Sequence, residues 1–166
     1  MVTRVMLVDD HRLVREVLVE LLSQEQDLTV VGAAADAPES VEMVRTVLPD
    51  VVVMDVHLPE VDGIAATRAL TRLHPTLKVV MLSSSCSPTL LKDSDEAGAC
   101  GYLVKGDPAD ELFHGIRTAA RGGRPFSTQA AALWRSMHDS GARQGAPKVR
   151  SAPSARGGAP DSPGEE

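Results

Sequence analysis

Aromatic residues are almost absent from this chain: one Trp, one Tyr and two Phe among 166 residues. Four rings cannot build a stacking platform for single-stranded nucleic acid, and they leave the core to aliphatic side chains. Basic charge is not in excess either. Lys and Arg number 17 against 23 Asp and Glu, a net charge of −6 and a pI near 5.3, which excludes the electrostatic footprint of a protein that grips phosphate backbones unaided. Cysteine is scarce: Cys86 and Cys100 are too few for a disulfide framework and lack the close pairing of zinc ligands. Both read as buried thiols in a reducing compartment. Long apolar runs are missing as well. Nowhere do 18 apolar residues follow one another, and Asp9 and Asp10 interrupt the N-terminal stretch before a signal-peptide core forms. No membrane span or secretory leader is expected, and the expected compartment is the cytoplasm.

What is present is an alternation. Short runs rich in β-branched residues at 4–8, 28–32, 51–54, 77–82 and 101–104 predict five strands. Between the first two, Leu13, Val14, Val17, Leu18, Leu21 and Leu22 repeat as the stripe of an amphipathic helix over 11–24. Further helical patterns occupy 38–48, 63–73, 88–97 and 108–121. Ser87-Pro88 and Asp107-Pro108 both have the form of an N-cap followed by proline at the first helical position. Strict β-α alternation with connections too long for hairpins predicts an α/β domain over residues 3–124, a doubly wound five-stranded parallel sheet of (βα)5 form. In such a sheet, ligands sit beyond the carboxyl ends of the strands.

The remaining 42 residues read differently. A helical extension is expected within 125–139, with Leu133, Trp134 and Met137 on a helix running from Thr128 to His138. From Ser140 onward, 27 residues hold five Gly, four Pro, four Ser and five Ala, with Val149 the one large apolar side chain. That composition predicts a disordered low-complexity tail over 140–166. Up to Arg124 there are 12 basic and 19 acidic residues, a net charge of −7. The tail adds no basic arm.

The residues that carry chemistry lie at strand ends. Asp9 and Asp10 follow the first strand and Asp55 the third, so a parallel sheet brings all three to one edge. Three crowded carboxylates repel one another unless a cation neutralises them. An all-oxygen set suits Mg²⁺, which prefers one or two carboxylates together with waters and a phosphate. Lys105 ends the fifth strand and Ser83 the fourth, at the same edge. An ammonium and a hydroxyl beside a carboxylate-bound metal form a receptor for a phosphoryl group.

The segments VDD at 8–10, MDVHLPEVDG at 54–63, LSS at 82–84 and GACGYLVK at 98–105 resemble the receiver domain of two-component response regulators, over about residues 3–124. DDHRLVRE at 9–16, GYLVKGDP at 101–108 and IRTAARGGRPFS at 116–127 are most similar to receivers that precede a LuxR-type (NarL-type) helix-turn-helix. The resemblance implies the flavodoxin-like receiver fold and a phosphorelay role. Asp55 would be the phospho-acceptor and Asp9 and Asp10 the acidic pair. Asp10, Asp55 and the backbone carbonyl of His57 would hold Mg²⁺ directly. Lys105 would contact the phosphoryl group, and Ser83 and Tyr102 would form the switch pair, Tyr102 turning from exposed to buried as Ser83 is drawn inward. Gly106 stands where many receivers carry proline, which excludes a cis X-Pro bond there.

The implied partners are a sensor histidine kinase and a second receiver, paired through the face that Tyr102 controls. The chain would be a phospho-acceptor rather than an enzyme, apart from its own phosphorylation and slow autodephosphorylation. Too few residues follow Arg124 for a helix-turn-helix domain, so a truncated transcriptional regulator is one expectation, without specific DNA binding of its own. A receiver-like interaction module that works without phosphate is the alternative. A haloacid-dehalogenase-type hydrolase fits poorly, since Asp55 is followed at plus two by His57 and no threonine stands at plus four.

Overall fold

The computed structural model describes the backbone of residues 1–143 and the side chains of 1–139. Five strands, β1 (Thr3–Val8), β2 (Leu28–Ala34), β3 (Val51–Asp55), β4 (Lys78–Ser83) and β5 (Gly101–Val104), form one all-parallel sheet in the order β2-β1-β3-β4-β5. Helices α1 (Arg12–Ser23), α2 (Ala37–Val47), α3 (Gly63–Leu73), α4 (Pro88–Glu96), α5 (Ala109–Ala120) and α6 (Thr128–Arg143) complete the described chain. This is the doubly wound α/β arrangement that the β-α alternation predicts.

The strands read as near-continuous apolar runs because helices cover both faces. Within each strand, successive side chains go to opposite faces. Val5, Leu7, Val53, Leu82 and Leu103 join α1 and α5 in one core, where Leu22, Phe113 and Ile116 are buried. Met6, Val8, Met54, Met81 and Tyr102 turn to the other face, against α2, α3, α4 and α6. β3, at the centre, is buried along its whole length.

Several boundaries differ from the expected ones. β2 runs two residues past Gly32, to Ala34, where a register shift opposite Val5 and Met6 keeps it paired with β1. The stripe on α1 is narrower than its sequence implies: Val14, Leu18, Leu21 and Leu22 face inward, whereas Leu13 and Val17 are exposed. With apolar residues at both i and i+1, periodicity alone cannot fix how the helix is rolled, and a single face of the sheet takes only the i, i+4, i+7, i+8 set. Ser87 does cap α4, accepting a hydrogen bond from the Leu90 N–H. Asp107 does not cap α5. Pro108 has extended ψ (144°) and itself occupies the N-cap position, so α5 starts one residue later, beyond the reach of the Asp107 side chain. Cys86 and Cys100 are half-buried rather than buried, and burial raises both thiols above their ordinary value. α6 continues past His138 to Arg143, and the tail expected beyond Ser140 otherwise lies outside the described residues.

The end of α5 is tied to the start of β2 by Arg117, which donates to Asp27 (2.6 and 2.8 Å) and to Glu25 (2.6 Å). These bonds hold the Asp27 carboxyl at about 2, below its ordinary 3.8. A depressed carboxyl stabilises the fold above its unfolded value and loses that contribution as pH falls through its folded value. The stability difference between wild type and Asp27→Asn is therefore expected in full above pH 3.8, shrinking as pH falls to about 2. Denaturant melts across that window check it, and added salt should narrow the difference.

Candidate functional site

The carboxyl ends of β1, β3, β4 and β5 converge as the parallel topology requires. Asp9 and Asp55 are buried and Asp10 is exposed. Asp55 is the last residue of β3 itself rather than the first beyond it. The carboxylate chain of Asp9 is fixed locally: its Oδ1 accepts from the His11 N–H at 2.9 Å, and Arg15 donates to its backbone carbonyl at 2.6 Å. The loop after β3 is held against Asp55 by the start of α3. Gly63 donates to the Val56 carbonyl at 2.9 Å, and a Cβ at Gly63 would lie 1.8 Å from the Asp55 carbonyl oxygen, so only glycine permits this approach. Asp62 caps the helix, its Oδ1 accepting from the Ala65 N–H at 2.8 Å.

Lys105, immediately after β5, reaches across the sheet edge. Its ammonium lies 2.6 Å from Asp9 Oδ2 and 3.1 Å from Asp55 Oδ2. Burial alone would lower the Lys105 pKa, but its bond to Asp9 and the charge of Asp55 outweigh that and hold it above 10.5. Burial raises Asp55 above the ordinary carboxylate value and the charge of Asp9 adds to it; Lys105 and the His57 N–H, which donates to Asp55 Oδ1 at 3.1 Å, pull the other way. The site is thus a crowded carboxylate pair only partly neutralised by one cation.

The donor set fits a hard divalent ion. Asp9, Asp10, Asp55 and His11 offer ligating atoms that all lie within 4.8 Å of one another, and carboxylate oxygens dominate the set, as Mg²⁺ requires. His11 escaped the sequence reading, although it directly follows the acidic pair. Its Nδ1 lies 3.0 Å from Asp10 Oδ1 and 3.3 Å from Asp9 Oδ1. His57, expected to contribute its carbonyl, meets the site through its N–H, while its ring lies 3.5 Å from the Ser85 hydroxyl.

Ser83 is fully buried at the end of β4; its hydroxyl accepts from the Ser85 N–H at 3.3 Å, and its carbonyl accepts from the Lys105 N–H at 2.7 Å. Tyr102, expected to turn from exposed to buried, stands in the buried state. It is 1% accessible, and its hydroxyl donates to the Ser85 carbonyl at 2.7 Å. The chain beyond α5 bonds to its backbone at Pro125 and Ser127, and the ring shares a core with Leu91, Ala99 and Ala130. All the sequence-derived site residues except Tyr102 lie at the strand-end crevice, and Tyr102 reaches it through Ser85.

Fold and site together define an α/β domain of the flavodoxin-like receiver class. Residues 5–117 match the response regulator receiver domain family. Similar proteins include the response regulator GacA of Pseudomonas viridiflava, 42% identical over 131 residues that cover 77% of this chain and 60% of GacA. The transcriptional regulatory protein DegU of Brevibacillus brevis is 36% identical over 120 residues, 72% of this chain and 51% of DegU. Among solved structures, a two-component response regulator of the LuxR family from Aurantimonas sp. SI85-9A1 superposes with a TM-score of 0.80 at 33% identity, covering 84% of this chain and 99% of that one. The chain belongs to the response regulator receiver family of two-component systems. It spans 51–60% of the length of the two curated relatives named. Among the described residues, no helix is long and apolar enough to cross a membrane.

Proposed function

We propose that this chain accepts a phosphoryl group on Asp55 from the phosphohistidine of a sensor histidine kinase and passes the change to a protein-interaction surface. The observation that carries this reading is the Lys105 ammonium held between Asp9 and Asp55 at the sheet edge. An Asp55 oxygen attacks phosphorus in line, the P–N bond breaks, and the imidazole nitrogen of the kinase leaves with the electron pair. Lys105 meets the charge on the equatorial oxygens as it spreads. The Ser83 hydroxyl, whose oxygen accepts from the Ser85 N–H, stands at the end of β4, where it can turn its proton toward a phosphoryl oxygen. Mg²⁺ held by Asp10, Asp55 and the His57 carbonyl, with Asp9 beside them, would supply the remaining neutralising charge. Slow hydrolysis of the aspartyl phosphate then returns the chain to its resting state.

The net charge of −7 on residues 1–124 favours action through protein partners, a kinase and a second receiver, rather than direct contact with DNA. Incubation with acetyl phosphate and Mg²⁺ should add a single phosphate that hydroxylamine removes. A phosphate that survives hydroxylamine would mean a phosphoester on a hydroxyl residue and would overturn the reading.

A further inference from the structure

We propose that the surface formed by α4 and the outer edge of β5 is a helix-binding face occupied by this chain's own α6, and that loading the Asp55 site tightens that docking. The proposal rests on Asp55 as the phosphoryl acceptor and adds the element that responds. β5 is an edge strand, yet the outward hydrogen bonds of Tyr102 at its centre are filled. The Tyr102 N–H donates to the Pro125 carbonyl at 2.9 Å, the Ser127 N–H donates to the Tyr102 carbonyl at 3.1 Å, and Tyr102 and Phe126 form a parallel bridge. A Cβ at Gly101 would stand 2.2 Å from the Pro125 carbonyl oxygen, so this approach also needs glycine.

Ser127 then caps α6, its hydroxyl oxygen accepting from the Ala130 N–H at 3.4 Å. The helix lays Ala130, Leu133, Trp134 and Met137, an i, i+3, i+4, i+7 set, onto the core that contains Tyr102 and Leu91. Arg124 clamps the assembly. It pairs with Asp95 of α4, and its guanidinium carbon lies 5.6 Å from the Phe126 ring centre and 5.2 Å from that of Trp134.

Tyr102 is thus tied at both ends. Its backbone holds the residues that lead into α6, and its hydroxyl holds the Ser85 carbonyl, in the loop whose N–H binds Ser83. A Tyr102 ring turned outward would leave the core that α6 packs on, so docked α6 and the inward ring favour each other. The inward ring is bonded to the Ser85 carbonyl, and the Ser85 N–H to Ser83 at the mouth of the Asp55 site. A group on Asp55 that holds Ser83 therefore also holds the loop that holds the ring, and reciprocity requires the loaded site to favour docked α6.

Trp134 is the one tryptophan of the chain, so its emission reports α6 alone. The full chain is titrated with beryllofluoride and Mg²⁺, binding being followed by fluorine NMR and α6 by Trp134 emission and acrylamide quenching. Bound beryllofluoride together with bluer, less quenchable emission is the expected result, absent in Asp55→Asn. Ala130→Glu, which places a charge in the docked face, should redden the emission and weaken beryllofluoride binding about fivefold, at the low end of measured coupling between sites. Binding with no change at Trp134 overturns the proposal and leaves the role of Asp55 intact. No binding at all removes both. Should Ala130→Glu fail to fold, the wild-type titration decides alone.

Discussion

Asp55→Asn is expected to abolish phosphate incorporation while leaving the fold as stable as before, or more so. An amide cannot act as the nucleophile, so labelling from acetyl phosphate should fall to background. Stability should move the other way. Asp55 is buried beside Asp9, and both conditions disfavour its charge. An asparagine keeps an oxygen to accept from the His57 N–H, now at 3.1 Å, and removes the repulsion with Asp9, while Lys105 retains its 2.6 Å contact to Asp9. A thermal melt run alongside the labelling separates the two effects. Loss of label with an unchanged or higher melting temperature identifies the nucleophile, whereas equal labelling of the variant would place the phosphate elsewhere.

Lys105→Ala should be damaging in both respects. Removing the ammonium leaves two buried carboxylates with no cation against them, and breaking a buried pair in this way costs about 2–4 kcal/mol once the partial exposure of the lysine is allowed for. The pH dependence follows from the shifts. Lys105 is held above 10.5, so its contribution is complete at neutral pH and lost only as pH rises through that raised value. In the variant, the unpaired carboxylates recover stability by taking up protons, so its deficit should narrow in acid. Phosphoryl transfer should slow about a hundredfold, the scale for losing one preorganised electrostatic contact. Lys105→Arg is expected to restore much of the stability but less of the transfer, since a planar guanidinium does not reproduce a point charge between two carboxylates. Urea melts and initial labelling rates measure the two losses separately.

Most of the fold was legible because its signals are local and repeated. β-branched runs marked all five strands, and the aspartates at their ends marked the crevice, since a parallel sheet leaves strand-end residues no other edge to occupy. The errors came where a local signal had two solutions. Leu13 and Val17 extend an apolar stripe, but which half of a wide stripe turns inward depends on the sheet beneath it. Asp107-Pro108 has the form of a cap, yet the ψ of Pro108 decides whether the helix has begun, and a dipeptide does not contain that angle. Tyr102 was given an exposed and a buried state by the switch that the resemblance implies; the structure shows the buried one, and its backbone bonds to Pro125 and Ser127, more than twenty positions later, were not legible in its own neighbourhood. His11 was missed for a different reason: beside two aspartates, a histidine at the mouth of a helix reads as solvated until its ring is placed against them.

The strand-like run of residues 125–127 along β5 also bears on how the protein behaves among its own copies. A bare edge strand is a template that recruits any extended chain, and proteins guard such edges against aggregation and domain exchange. Here one edge of the sheet is covered through hydrogen bonds by the same chain that built it. Only the β2 side is left as a terminal strand of the described sheet. Association by strand addition is thereby confined to the side remote from Tyr102, and a copy that lost its hold on residues 125–127 would gain a sticky flank at the moment its switch residue came free.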